Sequence, residues 1–172
     1  MVPRFNELPR PPDQVKQVQT GWEKPRRGFV KANCDGAWVE HTGIGGIGWV
    51  IRDFVGWMMQ AGGQGDMRYG SAFVAEVDAI RAVLSACQQG GFARVMVESD
   101  SLIAIQMVNR ERLVDAEVDK VIFIHAPRSC NNAAHEVASF VRRIGGTHLW
   151  DFVPPEWLFN TLAIDAKVSV RL

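Results

Sequence analysis

Between Gly28 and Ala61 three short runs carry strand-like patterns, and the links between them are too short to cross a sheet. Residues 29–34 read as a first strand, with Val30, Ala32 and Cys34 on one face and Lys31, Asn33 and Asp35 toward the other. A glycine-rich turn leads to a second strand over 47–52, and Asp53-Phe54-Val55-Gly56 turns the chain into a third over 57–61. Strands joined this way run antiparallel, because a parallel return needs a connection of about a dozen residues. The period then changes. Behind the candidate N-cap Ser71, Phe73, Ile80, Val83, Leu84 and Cys87 recur at helical spacing, and Gly90-Gly91 ends the run. Val95-Met96-Val97 reads as a buried strand, 101–109 as a short helix and 121–125 as a fifth strand. Residues 129–143 form a last helix, capped by Ser129 and stopped by Gly145-Gly146. The order βββ-α-β-α-β-α predicts an α/β fold, a mixed five-stranded sheet with helices on its faces. The stretch 150–158, with Pro154-Pro155 and two tryptophans, is expected to pack back without regular structure.

The 172 residues suffice for one domain with a sizeable core. Nineteen basic residues balance nineteen acidic ones, which argues against nucleic-acid binding through bulk charge. The charge is unevenly placed, however. Residues 1–31 hold seven basic side chains against three acidic ones. Residues 1–21, rich in proline and without apolar period, are expected to be a flexible basic leader, 22–158 the folded domain and 159–172 a C-terminal tail. No apolar run reaches the ~18 residues of a membrane span, and the N-terminus lacks the apolar segment of a signal peptide. Cys34, Cys87 and Cys130 are far apart and form no CxxC pair. Neither a zinc site nor a disulfide framework is indicated, and an intracellular setting, nucleus or cytoplasm, is expected.

Gly43-Ile44-Gly45-Gly46-Ile47-Gly48 satisfies the dinucleotide pattern G-x-G-x-x-G. That mechanism needs a helix N-terminus next, to meet the pyrophosphate with amides and dipole. Trp49-Val50-Ile51-Arg52 follows instead, and it is strand-like. Glycines in a hairpin or bulge explain the pattern better.

Four polar residues stand in unusual places. Glu76 has Ala72, Phe73, Ala79, Ile80 and Val83 as helical neighbours, so its carboxylate interrupts an apolar stripe. A lone charge there is costly unless a cation or hydrogen bond compensates. Its bland reading is an edge position with a Lys or Arg partner. Asp78, facing Arg81, serves as the control, an ordinary solvated helix residue. Asp35 ends the first strand as read here, where aspartate is disfavoured, unless it opens a turn with Gly36. Asp100 follows a buried strand directly, as a ligand-binding residue or as a helix N-cap. His135 shares a helix face with Asn131, and a lone helix histidine is commonly structural. If the fourth strand pairs with the first, Asp35, Glu76 and Asp100 converge. Three carboxylates so placed repel one another and would hold protons near neutral pH unless a divalent cation sat among them. Oxygen-only ligation suits Mg²⁺, with Mn²⁺ as the alternative, and two ions can clamp the attacking water and the leaving oxygen of a phosphodiester.

These stretches carry a resemblance. Residues 31–37 (KANCDGA), 45–53 (GGIGWVIRD), 75–79 (AEVDA), 98–101 (ESDS) and 127–138 (PRSCNNAAHEVA) resemble, in order, the motifs of the type 1 ribonuclease H family. The chain is most similar to plant ribonuclease H-like domains related to retroelement reverse transcriptases. The resemblance implies a ribonuclease H fold and metal-dependent hydrolysis of the RNA strand of RNA·DNA hybrids, leaving 5′-phosphate and 3′-hydroxyl ends. It places Asp35, Glu76 and Asp100 on the first three metal-binding carboxylates, with two ions per site, and His125 near a loop histidine that assists product release. Asn33, Asn131 and Asn132 are expected donors to the hybrid's 2′-hydroxyls.

Two departures stand out. The family's fourth carboxylate is His135 here, and hard Mg²⁺ prefers oxygen. Weaker activity, shifted toward Mn²⁺, is the expectation, with His135 kept among the catalytic candidates. Glu136 points ~100° around the helix and substitutes poorly. Where several relatives carry a basic handle, residues 110–120 hold four acidic side chains against three basic ones. The alternative function is a domesticated domain that keeps the fold and binds nucleic acid or protein without cutting. Cleavage of duplex RNA or of single strands is a third reading that the sequence does not separate from the first.

Overall fold

The computed structural model describes residues 19–111 and 120–167. The expected leader falls outside them up to residue 18, as do residues 112–119 of the acidic stretch and 168–172 of the tail.

β1 (Val30–Trp38), β2 (Ile44–Arg52) and β3 (Met58–Arg68) form the antiparallel meander that the short links require. After β3 the chain enters α1 (Ala72–Gln89), whose N-cap Ser71 accepts a hydrogen bond from the Val74 amide. α1 delivers β4 (Arg94–Ser99) parallel to β1, and α2 (Leu102–Glu111) precedes β5 (Lys120–His125), parallel to β4. A short 3-10 turn, Arg128–Cys130, leads into α3 (Asn132–Ile144). Ser129 lies inside that turn and does not cap the helix. Asn131 holds the N-cap position with its side chain turned inward onto the Cys34 carbonyl.

The sheet has six strands, ordered β5-β4-β1-β2-β3-β6. The sixth, β6 (Thr147–Asp151), comes from the region expected to be irregular and pairs antiparallel with β3. Its five residues turn only His148 and Trp150 inward, too few to show a period in the sequence. Both rings pack against Phe140 of α3. A fourth helix, α4 (Glu156–Asp165), runs through the boundary expected at residue 158. It is tied to β2 by a buried ion pair, Arg52 Nη1 to Asp165 Oδ2 at 2.8 Å.

Two apolar layers sandwich the sheet. Ala79, Ile80, Val83 and Cys87 of α1 and Ala104, Ile105 and Val108 of α2 pack with Ala32, Cys34, Val95 and Val97 on one face. Ala133 and Val137 of α3 and Leu158 and Leu162 of α4 pack with Val50, Met58 and Ala61 on the other. Phe73, expected in the buried stripe of α1, is exposed, and so is Trp57, which lies just outside β3. The glycines of the dinucleotide-like pattern lie within or beside β2, with a register shift between Gly45 and Ile47. They also answer to α3. A Cβ at Gly48 would run into the Ala138 amide nitrogen, and one at Gly65 of β3, outside the pattern, into the Val141 carbonyl, so the helix backbone rests directly on the sheet. Among the described residues no helix is long and apolar enough to cross a membrane.

Candidate metal centre

Asp35 is not at a turn. β1 continues three residues beyond it, and Asp35 pairs in register with Gly48. Its side chain is fully buried, on the strand face shared with Lys31 and Asn33. The next residue explains how Glu76 reaches it. A Cβ at Gly36 would lie 2.5 Å from the Ala75 carbonyl carbon, so only glycine lets α1 close on β1 here. Glu76 then projects over the strand, and its Oε2 accepts the Gly36 amide at 3.3 Å. Asp100 arrives from the other side. Asn33 pairs with Glu98 across β1 and β4, and two residues further along both chains stand Asp35 and Asp100. Ser101, not Asp100, caps α2, through Oγ accepting the Ala104 amide at 3.4 Å. Asp35, Glu76 and Asp100 each offer an oxygen, and the three lie within 4.8 Å of one another.

Burial and mutual repulsion set the electrostatics. Burial first, then the charges of Asp35 and Asp100, push the Glu76 carboxyl from its ordinary 4.5 up to about 8. Asp100 is raised by burial and by Asp35, against the opposing pull of Arg128. Asp78, the control, is not the solvated residue expected: its side chain is largely buried, pairing with the exposed Arg81 and accepting the Tyr69 hydroxyl at 2.6 Å. At the centre of the group the two oxygens of Asp35 differ. Oδ2 lies 2.8 Å from His135 Nδ1, which donates to it in the Nδ1–H tautomer, and accepts Arg128 Nη1 at 3.2 Å. Oδ1 is buried and has no hydrogen-bond partner among the described residues. Arg128 Nε also forms an ion pair with Asp100 Oδ2 at 2.8 Å, so one guanidinium bridges two of the three carboxylates. The sequence reading did not single out Arg128. The signal was available: three converging carboxylates call for positive charge, and Arg128 is the one arginine or lysine in the stretch 127–138.

The model of a family described as reverse transcriptase-like matches residues 33–141. The chain belongs to the reverse transcriptase-like family. Its fold is that of ribonuclease H. RNase H1 from the halophilic archaeon Halobacterium salinarum superposes with a TM-score of 0.57 at 24% identity, over 64% of this chain and 95% of that one. The N-terminal RNase H domain of a Mycobacterium tuberculosis protein gives 0.60 at 18%, over 67% and 94%. LC11-RNase H1, solved in complex with an RNA/DNA hybrid, gives 0.56 at 22%, over 64% and 94%. None of the curated proteins matches the sequence.

In this reverse transcriptase-like chain the other expected site residues fall into two groups. Asn33 and Asn131 are fully buried and hydrogen-bonded inside the protein, so neither amide can reach a nucleic acid. Asn33 donates to Asn131 Oδ1 (3.1 Å) and Glu98 Oε2 (3.0 Å) and accepts the Trp22 indole N–H (2.9 Å). Glu98 is closed by Lys31 at 2.7 Å. This network underlies the centre and fixes the Asn131 turn from which α3 presents His135. Asn132 is exposed and remains accessible, as does His125, the last residue of β5, paired in register with Ser99. Glu136 points to α4, accepting the Thr161 hydroxyl at 2.6 Å, and takes no part. The donor set fits a hard divalent cation: carboxylate oxygens from three elements, one of them buried without a partner among the described residues, and a Glu76 driven toward its protonated form by burial and by the charges of Asp35 and Asp100.

Proposed function

We propose that this chain is a metal-dependent ribonuclease H that hydrolyses the RNA strand of RNA·DNA hybrids. One observation carries the reading: Asp35, Glu76 and Asp100 converge within 4.8 Å beside the paired strands β1 and β4 of a ribonuclease H fold. Mg²⁺ is the expected ion, with Mn²⁺ as the alternative, and these three carboxylates would hold it. When bound, the ion supplies a Lewis acid for the scissile phosphate and lowers the pKa of the attacking water. The chain's own residues do the rest. Asp35, buried and braced by His135 and Arg128, holds its free oxygen in a fixed direction. Glu76 releases its proton when positive charge arrives. Asn132 is the remaining candidate for a 2′-hydroxyl contact, and the exposed His125 for product release. The hybrid is proposed as substrate by analogy with LC11-RNase H1, which is solved with one.

The test is cleavage of a labelled RNA·DNA hybrid in Mg²⁺ and, separately, in Mn²⁺, with duplex RNA and duplex DNA as controls. Hybrid-specific cutting, reduced by Asp35→Asn by about a hundredfold or more, is the expected result, since one ligand oxygen and its charge are lost. A second reading is a domain that binds without cutting. It is favoured by His135 in the place of the family's fourth carboxylate and by the protein donors already on Asp35 Oδ2. Folded protein that cuts in neither metal would select it.

A further inference from the structure

We propose that Arg128 serves this centre in place of a second divalent cation, so that one ion and one guanidinium, not two ions, complete it. The inference rests on the metal-dependent reading above and specifies its stoichiometry. Two ions about 4 Å apart would have to share the oxygens of the three carboxylates that converge here. Asp35 is the central carboxylate here, and its oxygens are unequal. Oδ1 is free, while Oδ2 already receives Arg128 Nη1 and His135 Nδ1. Arg128 goes further, taking Asp100 Oδ2 through Nε in a two-pronged bridge. A guanidinium presents a rigid fork of donors and stays charged at any working pH, which suits it to replace an ion between carboxylates.

The charge count agrees. Three carboxylates are brought to neutrality by one divalent ion together with Arg128. A second ion would leave an excess of two positive charges in the free protein, and of one with the scissile phosphate bound, unless a further carboxylate joined. The position where one could join is His135, a side chain with no formal negative charge, hydrogen-bonded to the very oxygen that Arg128 holds. Arg128 is half exposed while both of its partners are largely buried, so its bridge lies on the solvent side of the two carboxylates.

The test is a Mn²⁺ titration of the full chain, followed by calorimetry and by the free-ion electron paramagnetic resonance signal. It is run alone and with an uncleavable 2′-O-methyl RNA·DNA hybrid. Wild type should bind one Mn²⁺ under both conditions. Arg128→Gln should bind two with the hybrid present, and Arg128→Lys, which keeps the charge, should stay at one. In parallel, the rate of hybrid cleavage should follow about the first power of Mg²⁺ concentration in wild type and a steeper power in Arg128→Gln. Two ions in wild type overturn the proposal, and so does a single ion in both wild type and Arg128→Gln. Failure of wild type to bind any Mn²⁺ overturns the metal-dependent reading itself, a result distinct from the other two.

Discussion

His135 and Arg128 meet on one oxygen of Asp35, and that shared contact decides how the centre answers to substitution. His135→Asp adds a carboxylate where the imidazole stands. Hard Mg²⁺ gains an oxygen donor and the protein gains a fourth negative charge. Cleavage in Mg²⁺ is expected to rise by about tenfold or more, the scale on which residues around a metal centre act. The metal-free variant should melt at a lower temperature than wild type. Hybrid cleavage and thermal melts in chelator measure the two effects, and a variant no faster in Mg²⁺ than its parent refutes the role given to His135. The carboxylates themselves were legible in the sequence because each breaks a rule of its element: Glu76 interrupts an apolar helical stripe, and Asp35 stands in a strand. Arg128 breaks no rule. An arginine after a proline in a polar turn is ordinary, so its signal was indirect, the positive charge that converging carboxylates call for, and the folded geometry gives it two partners. Asn33 and Asn131 misled for the opposite reason. Asparagine is usually exposed, and nothing in the chain pattern announces that Trp22 and Glu98 would satisfy it inside.

At the scale of the element, contact between backbones matters more than side-chain pattern. α1 and α3 both press onto the sheet at glycines, at Gly36 and Gly48 respectively. A methyl group at Gly48 must push α3 outward, or shift β2. Gly48→Ala is therefore expected to destabilise the protein by about 1–3 kcal/mol, as overpacking generally does. It should also weaken Mn²⁺ binding, because α3 carries His135. The midpoint of urea unfolding and a Mn²⁺ titration check the two halves, and an unchanged midpoint removes the argument. The meander of β1 to β3 was readable because short links leave a strand no choice of direction. β6 and α4 were not. β6 is an edge strand with two inward side chains, and α4 hides behind Pro154-Pro155 with its anchor at the far end, in Asp165. That anchor makes a prediction of its own. Asp165→Ala leaves the Arg52 guanidinium buried without its carboxylate, and breaking such a pair costs about 3–5 kcal/mol. Chemical denaturation of the variant should show a loss of that size, and a loss below 1 kcal/mol would mean that α4 is not needed to complete the fold.

For the molecule as a whole, the raised carboxyls couple stability to pH and to metal in opposite directions. Without metal, folding lifts Glu76 from 4.5 to about 8, so the folded state binds a proton that the unfolded state has released throughout that window. Asp100 and Asp165 are raised as well and act with the same sign. Stability rises with pH only where the unfolded state holds more protons. Here the folded state holds more, so metal-free protein should lose stability as pH climbs from about 4.5 to 8, with little further change from Glu76 above that. Divalent ions reverse the trend. They bind the ionised carboxylates, so the stabilisation they confer should grow over the same window, and each binding event should release a proton below pH 8. The measurement is a set of melting temperatures from pH 5 to 9, in chelator and in saturating Mg²⁺. The two curves should separate as pH rises. Glu76→Gln should flatten the metal-free slope and narrow the gap, because the group that titrates and the ligand that binds are the same carboxyl. Parallel curves in wild type would uncouple Glu76 from the ion, and the centre would then have to be sought without it.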